Sequence, residues 1–247
     1  MSATAPKCPA FLAKLKRRED VAEGTMAFHF EKPASFAFTA GQFVDIGLLN
    51  PSETDAEGNT RGFSVASAPH EDSIMVTTRL RDTAFKRVLK ATPLETEVKI
   101  EGPFGNLRLH NDVKRTAVFL AGGIGITPFR SILLDVAKKK LPHHIFLFFS
   151  NRRPEDAPFL DELQALEKRN VNYRLIGTMT EMKESKASWL GERGFITKKM
   201  LDKHLEKAPS PIYYIAGPPV MVNALHAMFR ESGVDDDDIR TEEFAGY

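Results

Sequence analysis

The feature that most constrains this chain is an unbroken apolar run that ends in a glycine-rich turn and passes directly into a helical segment. Thr116 to Ala121 reads TAVFLA, and Gly122-Gly123-Ile124-Gly125-Ile126-Thr127-Pro128 follows. Such a run suits a parallel strand buried on both faces. Glycines at the turn let the backbone come close to a ligand. The helix beyond offers N–H donors and the positive end of its dipole to an anion. Pro128 falls in the first helical turn, where a missing N–H costs little. The spacing departs from G-x-G-x-x-G, so taken alone the loop also fits a plain tight turn.

The same grammar recurs downstream. Ile145–Phe149 (IFLFF) and Ile212–Ala216 (IYYIA) are further apolar runs. Helical patterns cover Thr127–Lys139, Pro158–Arg169, Thr197–Leu205 and Pro219–Glu231. Alternating strand and helix predicts a parallel sheet with right-handed crossovers. Ligands of such sheets bind beyond the carboxyl ends of the strands. The turn Ala216-Gly217-Pro218-Pro219 therefore faces the same crevice as the first glycine loop. Ser150-Asn151-Arg152-Arg153 follows IFLFF at that edge. An acid there binds a ribose 2′-hydroxyl, whereas arginine accommodates a 2′-phosphate. Ser150 and Arg152 thus favour NADPH over NADH, unless the arginines point to solvent or Glu155 and Asp156 fold back.

The first half reads differently. Strands are expected at Phe11–Lys16, Thr25–Phe30, Gln42–Leu48, Phe63–Ala66, Ser73–Leu80 and Glu97–Glu101, with a short helix over Thr83–Lys90. The polar stretch 49–60 is expected to be a surface loop. Six short strands with little helix predict a small antiparallel β-barrel. The fold class is thus two-domain. An N-terminal six-stranded antiparallel barrel over residues 1–110 precedes a C-terminal α/β parallel-sheet domain over 111–247.

Composition narrows the chemistry. A formal net charge of +1 gives no reason to expect nucleic acid or an anionic membrane as partner. The single cysteine, Cys8, makes no internal disulfide and cannot ligate an iron–sulfur cluster. The N-terminus has no signal-peptide pattern, and no run approaches the ~18–20 apolar residues of a membrane span, so no membrane insertion and a cytoplasmic location are expected. His143 and His144 are adjacent, a poor metal spacing. The run Asp235–Asp238 reads as a solvated turn.

Arg61-Gly62-Phe63-Ser64 stands on an expected strand, with Ser67 and Pro69 beyond it. The guanidinium fork of Arg61 suits phosphate oxygens. Phe63 can cover an aromatic ring, and Ser64 can donate a hydrogen bond to a ring nitrogen. The order of motifs adds to this. An arginine–aromatic–serine strand is followed by Gly102-Pro103-Phe104-Gly105, the glycine loop at 122–128 and the Ala-Gly-Pro-Pro turn. In that order the chain resembles the ferredoxin–NADP reductase superfamily over roughly Phe11 to Tyr247.

The resemblance implies residue roles. Arg61 would bind the FAD diphosphate, Phe63 would stack on the isoalloxazine in place of the usual tyrosine, and Ser64 would sit near flavin N5. Arg79 joins the flavin-binding set. Relatives often carry Gly-Gly-x-x-Ser where this chain has Asp82-Thr83-Ala84-Phe85-Lys86. Thr83, Ala84 and Phe85 would then approach the diphosphate through the backbone, with Lys86 supplying positive charge in place of the serine. Gly122, Gly123, Gly125 and Thr127 would hold the nicotinamide nucleotide's diphosphate, and Gly217 and Pro218 would line the nicotinamide side. Many relatives have cysteine where Ala216 stands. Glu242 and Phe244 would lie beside the flavin as catalytic residues with Ser64, and Tyr247 could occupy the nicotinamide site.

The implied activity is FAD-dependent transfer of hydride from NADPH or NADH. The electrons would pass to a separate acceptor, a carrier protein such as ferredoxin or flavodoxin, or a small oxidant. Hydride transfer needs position and electrostatics from the protein rather than a nucleophile or metal. Two alternatives stay open: a ferric or siderophore reductase, and a non-catalytic flavin-binding subunit.

Overall fold

The computed structural model describes residues 9–206 and 208–244. Cys8 and Tyr247 lie outside the described residues. The antiparallel half is built from β1 (Ala10–Ala22), β2 (Thr25–Glu31), β3 (Phe43–Leu48), β4 (Thr60–Ser64), β5 (Ser73–Arg79) and β6 (Glu97–Phe104), in the order β4-β3-β6-β1-β2-β5. β1 is long enough to serve two neighbours. Ala10–Lys14 pair with β6, and Leu15–Ala22 pair with β2 across register shifts. The two edges meet just past β4, where Ala66 N–H donates to the Met75 carbonyl at 2.7 Å. Phe28, Phe30, Val44, Ile46, Ile74 and Ile100 fill the interior between the strands. β4 begins three residues earlier than the pattern suggested, at Thr60, because Gly47 of β3 pairs with it there. β6 runs on through Pro103 to Phe104, so the Gly-Pro-Phe-Gly segment is mostly strand end rather than turn.

The α-helix of this half, α1 (Ala84–Ala91), buries Ala84, Phe85 and Leu89 and is capped by the Thr83 side chain, which accepts from Lys86 N–H.

The second half is a parallel sheet of β7 (Ala117–Gly122), β8 (Ile145–Asn151), β9 (Tyr173–Met179), β10 (Glu192–Arg193), β11 (Ile212–Gly217) and β12 (Ile239–Glu243), ordered β10-β9-β8-β7-β11-β12. Helices α2 (Ile126–Lys139) and α3 (Leu160–Glu167) bring side chains to one face, and α4 (Lys198–Leu205) and α5 (Pro219–Glu231) to the other. β7 is therefore apolar throughout. Ala117, Phe119 and Ala121 belong to one core, and Val118 and Leu120 to the other. β9 escaped the sequence pattern because Arg174 and Gly177 interrupt it. Trp189 packs against the space beside Gly177, where a Cβ would stand 2.7 Å from its ring. Asp235 caps a short 3₁₀ turn, and Asp238 pairs with Arg115 at 2.7 Å.

Buried polar contacts pin the two halves together. Arg130 of α2, 7% exposed at its side chain, donates to the Ala66 carbonyl at 2.7 Å and pairs with Glu71 and Glu162. Ser131 donates to the Ser67 carbonyl at 2.7 Å. Both acceptor carbonyls lie just beyond β4. The helix that follows the glycine loop therefore fixes where Ser64 stands.

Candidate functional site

A cleft of about 830 Å³ is lined by the end of β4, β5, α1, the glycine loop and β12. Phe63, Ser64, Thr77, Arg79, Lys86, Thr127, Glu242 and Phe244 are among its walls. Residues from positions 63 and 244 thus share one wall system.

At the centre, Ser64 Oγ donates to Glu242 Oε1 at 2.8 Å. Ser64 is buried, and burial raises the Glu242 carboxyl above the usual glutamate range, with the Ser64 hydrogen bond opposing that rise. Glu242 is carried by β12, which pairs in parallel with β11 so that Ala216 lies opposite Glu242. Phe244 continues the ladder by donating its N–H to the Gly217 carbonyl at 3.0 Å. Phe63 packs against Phe85 of α1 with ring centroids 5.8 Å apart.

The glycine loop forms a 3₁₀ turn over Gly123–Gly125, then α2 begins at Ile126 with no acid in its first turn. Gly123 has φ +50°, a conformation that glycine adopts without strain. At Gly125 a Cβ would stand 2.1 Å from the Ala216 carbonyl oxygen, so the two glycine-bearing turns interlock and only glycine fits. Thr127 Oγ donates to the Ile124 carbonyl and shapes the loop from within. Gly217 and Pro218 lie alongside: a Cβ at Gly217 would meet Gly122 N at 3.1 Å, and one at Gly122 would meet Pro218 Cδ at 2.9 Å.

The two cations at the β4–α1 corner of the cleft are engaged differently. Arg61 lines the cleft, yet all three of its guanidinium nitrogens are engaged by residues 55–60. Lys86 lines the same corner, half-buried, and among the described residues its ammonium has no hydrogen bond or ion pair. Thr83 and Lys86 reach the cleft, whereas Ala84 and Phe85 are buried behind it.

At the far edge, the two arginines after β8 are not equivalent. Arg153 is clamped by Asp156 at 2.9 Å and by Glu23 at 3.0 Å. Arg152 is exposed, with Nε 3.7 Å from Glu181. Glu155 accepts from Ser185 Oγ and Lys186 N–H. Ser150 pairs with Gly122 across the sheet, which places it at the loop.

The cleft fits a large anionic dinucleotide. Thr77 Oγ1 and Arg79 Nε are buried there without a hydrogen-bond partner among the described residues. Buried polar groups left unmet cost free energy, so such atoms point to a missing partner. Asn151, at the end of β8, is likewise buried with both side-chain polar atoms unpartnered. Sequence reasoning passed over Thr77 and Asn151. Thr77 belongs to no motif, and Asn151 stands beside two arginines whose charge is the stronger signal.

Fold and cleft together define a two-part architecture, an antiparallel β-sheet half docked on a parallel α/β half, and this is the fold of solved ferredoxin NADP+ reductases. Residues 119–227 match the oxidoreductase NAD-binding domain. The chain is similar to one component of the Na(+)-translocating NADH-quinone reductase of Yersinia enterocolitica, with 29% identity over 221 residues, covering 83% of this chain and 54% of that protein. The chain thus spans about half the length of the curated relatives it matches. Among solved structures it is similar to a ferredoxin NADP+ reductase from Neisseria gonorrhoeae with bound FAD and NADP (TM-score 0.78, 23% identity, covering 95% of this chain and 98% of that one). It is also similar to an Amycolatopsis cytochrome P450 reductase (TM-score 0.79, 20% identity, covering 96% and 71%).

Proposed function

We propose that this chain is an FAD-dependent reductase that takes hydride from a nicotinamide nucleotide and passes electrons to a separate acceptor. The hydrogen bond from Ser64 to the half-buried Glu242 carries the reading, because it places a hydroxyl and a carboxyl of raised pKa in the cleft where both glycine turns converge. FAD, when bound, accepts hydride and releases its electrons singly. Phe63 offers a flat apolar face to a ring system. The one O–H of Ser64 goes to the Glu242 carboxylate, which orients the hydroxyl; when the Glu242 carboxyl holds a proton and donates it back to Oγ, the Ser64 O–H is released as a donor at that ring's edge. Phe244 excludes water from the same spot. The glycine loop and the start of α2 receive the nucleotide diphosphate.

We take the division between the flavin part and the nucleotide part to lie near residue 110. The engagement of Arg153 and the approach of Glu181 to Arg152 shift our reading toward NADH, against the NADPH preference expected from the arginines alone. The name of the Yersinia relative, an NADH-quinone reductase component, supports NADH and adds a quinone to the candidate acceptors beside ferredoxin, flavodoxin and small oxidants. Among the described residues no helix is long and apolar enough to cross a membrane. A cytoplasmic location remains part of the proposal.

The test is the visible spectrum of the purified protein under anaerobic conditions, before and after addition of NADH or NADPH. A flavin band that bleaches supports the reading. A bound flavin that neither nucleotide bleaches identifies a non-catalytic flavin-binding protein instead.

A further inference from the structure

A formal net charge of +1 hides a local segregation of charge at one end of the parallel sheet. At the amino ends of β8 and β9, opposite the edge that carries the glycine loop, two helices finish in basic residues. α2 has Lys138 and Lys139 in its last turn and Lys140 beyond it, and α3 is followed by Lys168 and Arg169. Arg174 stands exposed at the start of β9. The sheet brings these segments side by side. Ile145 N–H donates to the Asn172 carbonyl at 2.8 Å, and strands joined in this way lie about 4.8 Å apart.

These cations meet two carboxylates. Asp135 pairs with Lys139 at 2.7 Å, and Glu167 lies 3.7 Å from Arg174. Lys138, Lys140, Lys168 and Arg169 are exposed and have no ion pair among the described residues. The other acids at this end, Asp112 and Asp235 to Asp238, stand before β7 and β12. Cations at a helix carboxyl end complement its dipole, and Lys138 and Lys139 do so for α2. That role does not account for Lys140, whose backbone is left-handed at φ 52° and ψ 42°. Glycine takes this conformation without strain, whereas a lysine there costs stability. The lysine is therefore held against the backbone's preference, with its side chain in solvent.

Between Arg169 and Arg174, on the loop joining α3 to β9, Val171 is 93% exposed. A lone exposed valine is ordinary, but this one is surrounded in sequence and in the sheet by cations. Most of them are lysines, compact hydrated charges on flexible stems. They suit a diffuse layer of anionic headgroups better than the fixed bidentate pairing of a protein interface. An apolar side chain among them can enter the boundary between headgroups and acyl chains.

We propose that this basic end of the parallel sheet docks the protein on an anionic lipid surface, with Lys138, Lys140, Lys168 and Arg169 against the headgroups and Val171 entering the interface. Docking there leaves the cleft open. The glycine loop follows the carboxyl end of β7, and Glu242 lies near the carboxyl end of β12. The inference does not depend on which cofactor fills the cleft.

The experiment is co-sedimentation of the chain with vesicles of phosphatidylcholine alone, or of phosphatidylcholine with about one third phosphatidylserine. The protein should pellet with the anionic vesicles only. Salt at ~0.5 M should release it, since the Debye length then falls to about 4 Å. Each cation near the surface contributes about fivefold to partition, so replacing Lys138, Lys140, Lys168 and Arg169 together by glutamine should weaken binding on the order of a hundredfold. The same replacement of four exposed cations elsewhere, Lys183, Lys186, Arg193 and Lys199, should cost less than about threefold, because they lie beyond the screened range of the docked surface. Val171→Ser should weaken binding about threefold or more. Lys140→Gly separates docking from folding. It should raise the melting temperature, by relieving the left-handed lysine, while weakening vesicle binding about fivefold. Absence of binding to the anionic vesicles, equal binding to neutral ones, or equal losses in the two fourfold variants overturns the assignment. So does binding that Lys140→Gly and Val171→Ser both leave unchanged.

Discussion

Ser64 Oγ and Glu242 Oε1 lie 2.8 Å apart although 178 residues separate them in the chain. The serine ends β4 of the antiparallel half, and the glutamate stands on the last strand of the parallel sheet. The contact therefore exists only when both halves are folded and docked. Arg130 and Ser131 set that docking by gripping the carbonyls of Ala66 and Ser67.

Ser64→Ala should slow flavin reduction by NADH about tenfold or more while FAD stays bound. The loss follows from removing a hydrogen bond to a charged group, worth ~1.5–3 kcal/mol. Stopped-flow spectroscopy reads the reduction rate directly. Equal rates in variant and wild type would show that the hydroxyl does not serve the transfer.

Burial makes Glu242 a liability at neutral pH. Its folded pKa is raised, so between the unfolded glutamate value and the raised one the native state binds more protons than the unfolded chain. The carboxyl's contribution to stability is therefore full below the unfolded value and is lost as pH rises through the folded one. Glu242→Gln removes the titration. Urea melts should show the variant gaining stability relative to wild type at pH 7.5 compared with pH 4.5. A difference that does not change with pH would refute the sign.

Arg130→Met should destabilise the protein by ~3 kcal/mol, near the low end for breaking a buried ion pair. The lower figure is chosen because Glu71 and Glu162 keep 31% and 38% of their side chains exposed and regain some solvation. Denaturant unfolding measures this. A loss under ~1 kcal/mol would mean that the seam is held elsewhere.

Gly125→Ala forces a Cβ to within 2.1 Å of the Ala216 carbonyl oxygen, backbone against backbone. The loop must shift, and overpacking of this kind costs ~1–3 kcal/mol. The expected result is a raised KM for NADH with FAD affinity unchanged. A variant with normal nucleotide kinetics would remove the loop from the nucleotide site.

Selectivity between NADH and NADPH should depend on the pair Arg152 and Glu181. Glu181→Gln frees the guanidinium and should raise kcat/KM for NADPH relative to NADH, whereas Arg152→Ala should lower it. Steady-state kinetics with both nucleotides decides. Selectivity unmoved by either change would place the ribose away from this edge.

Much of the architecture is legible in the sequence because the relevant signals are local. TAVFLA, IFLFF and IYYIA declare strands covered on both faces, and the turns after the first and third contain glycines at the ligand-facing edge. Thr83 caps α1 at the edge where the short helix is expected. β9 was less visible, since Arg174 and Gly177 break its apolar pattern and Trp189, a dozen residues later, fills the gap.

What residue identity determined by itself was where backbones can approach closely and which segments must be buried. Glycine at 125 and unbroken apolar runs have those consequences in any fold that contains them. Which charges are free was decided only by tertiary structure. Arg61 and Lys86 are both cations in the string of residues; Asp55 and Glu57 lie within six residues of Arg61, but only the folded loop brings them onto its guanidinium and leaves Lys86 without a partner among the described residues. Arg153 is likewise taken up by Glu23, 130 residues away. Electrostatic pairing depends on distance in space and on desolvation, and neither quantity is written in a linear sequence.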